Sequence, residues 1–198
     1  MEFKKVAIIG GGAAGFFAAI SVKENHPSHQ VILFEKTSKV LSKVRISGGG
    51  RCNVTHDCSD IPTLCEAYPR GGKKLKSLFY QFSKSDTVDW FESRGIPLKT
   101  EIDGRMFPES NNSQSIIDCL ESEIARLKVT LKLGQTIEQI EQDGKGWKLN
   151  FKDQSNQKFD MVIIATGGSP KITGFDWLKN LGHNVIPPVP SLFTFNMP

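Results

Sequence analysis

Gly10-Gly11-Gly12-Ala13-Ala14-Gly15 places glycine at the first, third and sixth positions of a short run. Each of the three can serve a different physical end. Gly10 permits a tight turn, Gly12 removes a Cβ that would collide with a pyrophosphate, and Gly15 lets a helix lie close on a strand. Ala13 and Ala14 are small enough to keep a phosphate path clear. A helix opening here would offer unpaired N–H groups and partial positive charge to an anion. Twenty residues beyond Gly15, Glu35 closes the next apolar run. Its carboxylate can accept two hydrogen bonds from ribose hydroxyls and disfavours a 2′-phosphate at the same place. With its neighbour Lys36, this points to binding of an adenine dinucleotide other than NADP. FAD and NAD share that ADP portion, so the motif by itself does not separate them.

A second cluster runs Ser47-Gly48-Gly49-Gly50-Arg51-Cys52-Asn53. Successive amides in a glycine-rich turn can form an anion-binding nest. Arg51 could set a charge near a pyrophosphate or a flavin ring, or brace the loop by bonding carbonyls. Asn53 could bind a flavin edge or cap a local turn. Cys52 has no partner cysteine nearby, so packing is the first reading and redox chemistry the second. Lys43 could balance phosphate charge or lie in solvent. A third cluster, Ala165-Thr166-Gly167-Gly168, follows an apolar run. Its small residues permit close approach of backbone to a bound dinucleotide, with Gly167 the foremost candidate. Thr136 and Ile137 lie where backbone could meet adenine. Arg105, Met106 and Phe107 could wall a pocket or pack a hairpin.

The remaining chemistry-bearing residues exclude several classes. Cys52, Cys58, Cys65 and Cys119 form no CxxC pair, and His26, His29, His56 and His183 do not complete a metal-ligand spacing with them. No metal site is expected. His56 follows the second cluster but is not assigned as a base on position alone, and no catalytic acid or base is named. The net charge of +4 comes from 25 Lys and Arg against 21 Asp and Glu, too mild for a nucleic-acid surface. Arg70, Lys73, Lys74 and Lys76 read as a solvated helix start. The start of the chain resembles a strand rather than a secretory peptide, and no apolar run approaches membrane-spanning length. A cytoplasmic protein with reduced thiols and no membrane partner is expected.

The elements that must position these residues follow from periodicity. Residues 4–9 and 30–35 carry unbroken apolar runs, and a helix pattern lies between them, ending before Pro27. Strand, glycine turn, helix and strand make one βαβ unit whose parallel strands are covered on both faces. Residues 36–60 read as an ordered loop. Residues 72–94 read as helical, with Leu75, Leu78, Phe79 and Phe82 on one face and a second helix capped by Ser85. Residues 96–107 suggest a hairpin about Asp103–Gly104. Ser115 and Asp118 suggest a capping box for a helix carrying Ile117, Leu120, Ile124 and Leu127. Strands are expected at 129–133, 136–141, 146–151 and 158–164, with turns at Asp143–Gly144 and near Asp153. A short amphipathic segment at 177–181 precedes Pro187, Pro188 and Pro190. The long excursion before the last central strand favours FAD over NAD, because a buried flavin needs extra walls.

These motifs, taken in order, resemble the HI0933-like flavoproteins, also described as BaiN-like or aminoacetone-oxidase-like NAD(P)/FAD-dependent oxidoreductases. The matching stretches are Ile9–Gly15 with Glu35, Lys43 with ISGGGRCNVTH at 46–56, GRMFPES at 104–110, VIIATGGSP at 162–170 and LGHNVIPPVPSLF at 181–193. The resemblance implies an α/β, Rossmann-like domain of the two-dinucleotide-binding flavoprotein type. It assigns Gly10, Gly12, Gly15 and Glu35 to the ADP-binding turn. Lys43, Gly48, Gly49, Arg51, Cys52 and Asn53 go to a flavin-side loop, and Thr166 and Gly167 to the strand end near FAD. Departures at Leu41, Ser42 and 169–175 concern the shape of the pyrophosphate side.

The resemblance also implies that family members run to roughly twice this length, with an inserted domain after the PSL segment. Residues 1–190 are then an incomplete FAD-binding domain with a helical and hairpin excursion at 60–128, and 191–198 begin a connection to the inserted domain. Leu192, Phe193 and Phe195 resemble core residues without partners, which fits that reading. The expected activity is hydride transfer through flavin N5 of noncovalent FAD, with NADH or NADPH as reductant and a small-molecule substrate left open between amines and conjugated carbonyl compounds. An NAD-dependent dehydrogenase and a non-enzymatic adenine-dinucleotide module are the competing expectations.

Overall fold

The computed structural model describes residues 2–58, 60–68, 71–169, 172–187 and 189. They form two compact units, one from Met1–Val40 with Val129–Pro198 and the other from Leu41–Lys128. Arg70, most of the proline-rich stretch and residues 191–198, to which expectations were attached, lie outside the described residues.

The first unit opens with β1 (Lys5–Ile9), α1 (Ala13–Asn25) and β2 (Gln30–Phe34). Val6 to Ile9 and Val31 to Phe34 are all buried, as continuous apolar runs in a parallel pair require. The two strands pair in register, Val6 with Val31 and Ile9 with Phe34. α1 begins at the glycine turn, buries Gly15, Phe16, Ala19 and Ile20, and ends at His26, whose N–H donates to Val22 O. Pro27 follows and lacks the N–H that would continue the helix.

The second unit contains α2 (Ser42–Ile46), β3 (Thr55–His56), α3 (Ile61–Glu66), α4 (Gly72–Phe79), α5 (Lys84–Glu92), β4 (Leu98–Thr100), β5 (Arg105–Pro108) and α6 (Ser113–Arg126). The three strands form an antiparallel sheet in the order β3-β5-β4. Its hairpin turns at Asp103–Gly104, with Gly104 at φ +82°, as the sequence predicts.

Four expectations differ from the structure in this unit. Residues 42–46 are helical where a loop is predicted; five residues are too few to show a period, and Val44 alone in that helix is buried. Ser83 caps α5, not Ser85: its hydroxyl accepts from Asp86 N–H while the Asp86 carboxylate accepts from Ser83 N–H, a complete box. Asn112 caps α6, not Ser115, whose hydroxyl instead donates to Asn112 O. Leu78 and Phe82, on the expected apolar face, are exposed.

The chain returns to the first unit with β6 (Thr130–Lys132), β7 (Ile137–Asp143), β8 (Gly146–Phe151), β9 (Asn156–Phe159), β10 (Met161–Ile164) and α7 (Asp176–Asn180). A four-stranded parallel sheet runs β10-β1-β2-β6, and an antiparallel sheet runs β7-β8-β9. The single strand expected at 158–164 is therefore two strands in two sheets. Asp160 divides them: its N–H donates to Lys5 O at 2.9 Å and its carboxylate accepts from Lys5 N–H at 2.6 Å. These bonds turn the chain from β8 onto β1.

Alternation along the parallel strands sends Ala7, Ile9, Ile32 and Phe34 to one face. There they meet Ile140, Leu149, Phe151 and Phe159 of the antiparallel sheet in one buried cluster. Phe34 lies 5.3 Å from Phe151 and 5.8 Å, edge-on, from Phe159 between ring centroids. Such aromatic pairs add about 0.5–1.5 kcal/mol beyond the area they bury. The cluster fixes the end of β2, and so Glu35, against the floor of the unit. No helix among the described residues is long and apolar enough to cross a membrane.

Candidate functional site

The carboxyl end of β1 leads straight into the turn at Gly10 to Gly12. Gly10 N–H donates to Phe34 O at 2.8 Å, tying the turn to the end of β2. Gly10 has φ +116°, and a Cβ there would stand 2.4 Å from Ala165 O. Its glycine therefore serves both the turn and the close passage of the segment after β10. Ala165 N–H donates to Ile9 O at 2.8 Å, which fixes that passage. Gly15 has no room for a side chain either, because its Cβ would lie 1.9 Å from Gly10 O.

Gly12 differs from both. Its φ of −91° and ψ of −177° suit any residue, and a Cβ there meets nothing within 4 Å among the described residues. It is the N-cap of α1, yet no side chain caps the helix and its first turn holds no acidic residue. Gly12, Ala13 and Ala14 are exposed. A helix start of this kind leaves backbone donors available to an anion.

Glu35 lies beside the turn. Its carboxylate accepts from Gly11 N–H at 2.8 Å, from Thr37 N–H at 2.9 Å and from the Thr37 hydroxyl at 2.9 Å. Partial burial pushes the carboxyl up, but these bonds, with the charge of Lys36, outweigh it and hold Glu35 below its ordinary value. A carboxylate has about four acceptor positions. These donors take up part of that capacity, and the Thr37 hydroxyl hydrogen is shared with Lys39 O at 2.8 Å. Gly11 and Thr37, absent from the sequence-based set, are what orient Glu35. Thr37, two residues after the acid, was the available signal.

A cavity of about 390 Å³ opens beside Glu35 within the first unit. Gly10, Glu35, Lys36, Thr136, Ile137, Thr166 and Gly167, all expected from sequence, line it. Ser169, Phe175 and Trp177 line it as well and were not expected there: Ser169 and Phe175 lie in a stretch of no clear period, and Trp177 opens the short amphipathic segment. Thr136 O accepts from Lys152 N–H and Gln135 N–H donates to Glu35 O, both at 2.9 Å, so the rim is held by its own backbone. Gly167 has φ +73°, a conformation that favours glycine.

The glycine cluster at 47–53 belongs to the second unit. Gly48, Gly49 and Gly50 all have positive φ, and Cys52 N–H closes the turn onto Ser47 O at 3.0 Å. A Cβ on Gly48 would stand 2.8 Å from the Phe107 ring. Arg51 pairs with Glu101, and its guanidinium lies 4.0 Å over Phe107. With its amide nitrogen facing carbonyls, Asn53 donates to Thr55 O at 2.8 Å and Met106 O at 3.2 Å. Arg51 thus braces the loop against the hairpin, and Asn53 bonds both its own stretch and β5. Cys52 is buried, and burial pushes its thiol up. Lys43 is exposed. Arg105 bonds Asp103 at 2.8 Å, which makes it a hairpin brace. Among the described residues no group of three or more His, Cys, Asp or Glu side chains could hold a metal ion.

The chain's resemblances agree with this geometry. Residues 4–190 match the family described as HI0933-like protein Rossmann domain. A 3-dehydro-bile acid delta(4,6)-reductase of Clostridium scindens is 30% identical over 95% of this chain and 46% of its own length. A ribosomal RNA dihydrouridine synthase of Escherichia coli is 28% identical over 100% of this chain and 49% of its own. The chain thus spans about half the length of these relatives. The open conformation of a flavocytochrome c3 fumarate reductase superposes with a TM-score of 0.60 at 22% identity, over 84% of this chain and 34% of that one, a likeness of fold.

Proposed function

The chain belongs to the HI0933-like Rossmann family, and from that premise we propose that it holds the ADP half of FAD at the start of α1 and serves a flavin-dependent oxidoreductase. Gly12 is the observation that carries this reading. The turn needs glycine at positions 10 and 15 for its own packing, whereas at 12 neither backbone strain nor any neighbouring atom of the described residues demands it. A pyrophosphate lying against the exposed helix start supplies the missing steric reason.

Each neighbour then has a task. Gly10 and Gly15 shape the turn, and Ala13 and Ala14 leave its mouth open. Glu35 offers its remaining acceptor capacity to a ribose hydroxyl and repels a 2′-phosphate. Lys36, Thr136, Ile137, Thr166 and Gly167 wall the cavity that receives the adenosine, and Ala165 sets the spacing between β10 and the turn. Bound FAD supplies hydride exchange at its N5 atom. NADH or NADPH is the proposed reductant and a small organic molecule the proposed acceptor. The bile acid relative is named a reductase, which favours reduction of the substrate over its oxidation.

The direct experiment is to purify the full-length protein and record its absorbance. A flavin band, with FAD released on denaturation in a ratio near one per chain, is expected. A colourless protein that fails to take up added FAD yet binds NAD would favour the dehydrogenase reading instead.

A further inference from the structure

His56 and Cys58 lie together in the second unit, on the stretch that leaves β3. Cys58 Sγ is 3.5 Å from His56 Nδ1, and His56 Nε2 is 3.0 Å from the backbone oxygen of Asp103. A carbonyl oxygen can only accept, so Nε2 carries the hydrogen. In the neutral ring that leaves the Nδ1 lone pair facing the thiol. We infer that His56 acts as a local base for Cys58 and makes it a reactive thiol, a site for covalent modification by electrophilic carbon.

The pair is held from several sides. His56 is in β3, paired with Arg105 of β5. Asp57 N–H donates to Gly104 O at 2.7 Å and its carboxylate meets Lys84 at 2.6 Å. The imidazole lies close against Gly104, where a Cβ would come within 2.4 Å of its Cε1 atom. Glycine at 104 thus serves the hairpin turn and seats the ring at once. The other thiols give the contrast. All four cysteines are free, but Cys52 and Cys119 are buried, and burial pushes both thiols up. Cys58 is half-buried, so a small electrophile can reach it, as it can reach the half-buried Cys65.

In the step itself the Sγ proton passes to His56 Nδ1 and a sulfur electron pair forms a bond to the electrophilic carbon. With iodoacetamide as probe, the carbon–iodine bond breaks and its electron pair leaves as iodide. The inference does not use the ADP-binding residues of the first unit.

The test is timed iodoacetamide labelling of the full chain at fixed pH, read cysteine by cysteine through peptide mass spectrometry. Cys58 is expected to react about tenfold faster than Cys65, and His56→Gln to erase that advantage while Cys65 keeps its rate. Gly104→Ala, which pushes the ring off its seat, is expected to act in the same direction. Continued protection of Cys52 and Cys119 reports that each variant is folded. Cys58 reacting no faster than Cys65 in the unaltered protein overturns the inference without recourse to any variant, as does an unchanged Cys58 rate in folded His56→Gln.

Discussion

Gly15 in α1 rests its Cα against the carbonyl oxygen of Gly10, so close that a Cβ would stand 1.9 Å from that oxygen. The helix start and the strand end are locked together by this contact, and the three unlike roles of the glycine turn follow from it. Gly10 and Gly15 are required by the chain, and Gly12 is not.

Gly15→Ala should therefore damage the fold itself. The clash is with backbone, which cannot swing away, and overpacking of this kind costs about 1–3 kcal/mol. Urea denaturation should show a lower midpoint with an unchanged slope.

Glu35 should contribute stability that depends on pH. Its three protein donors hold the folded carboxyl below its ordinary value. The contribution is then complete above the unfolded-state value, about 4.3 for Glu, and is lost as pH falls through the lower folded value. Glu35→Gln removes it. The thermal midpoint of the variant should lie below that of the unaltered protein at neutral pH, and the gap should close as the pH falls through the lowered folded value. A gap that is constant over that range would assign the loss to packing and not to the carboxylate's charge.

What the sequence made legible is what short stretches of chain determine. The β1–turn–α1–β2 unit could be read because its glycines, its apolar runs and Glu35 lie within one local span. Seven of the expected binding residues, from four separate stretches, line one cavity because those stretches follow β1, β2, β6 and β10 of one parallel sheet. The misreadings lie where a distant partner decides. Nothing in the run from Lys158 to Ile164 announces that Asp160 bonds to Lys5, 155 residues earlier, and splits it into two strands. That Arg51 pairs with Glu101, fifty residues away, and lies over the Phe107 ring is likewise invisible in its local sequence. His56 carried no signal of its own, because the groups that orient it, Asp103 O and the bare Cα of Gly104, come from the hairpin.

The most direct test of the central claim is cofactor affinity in Gly12→Val, measured by flavin fluorescence titration of the full-length protein. A Cβ at position 12 meets no atom of the described residues within 4 Å, so the fold should lose no more than the ~1 kcal/mol expected for a poorer N-cap residue. FAD binding should fall by at least a hundredfold, since the added methyl groups occupy the place assigned to the pyrophosphate. A folded Gly12→Val protein that retains FAD with unaltered affinity would contradict the placement of the dinucleotide at the start of α1.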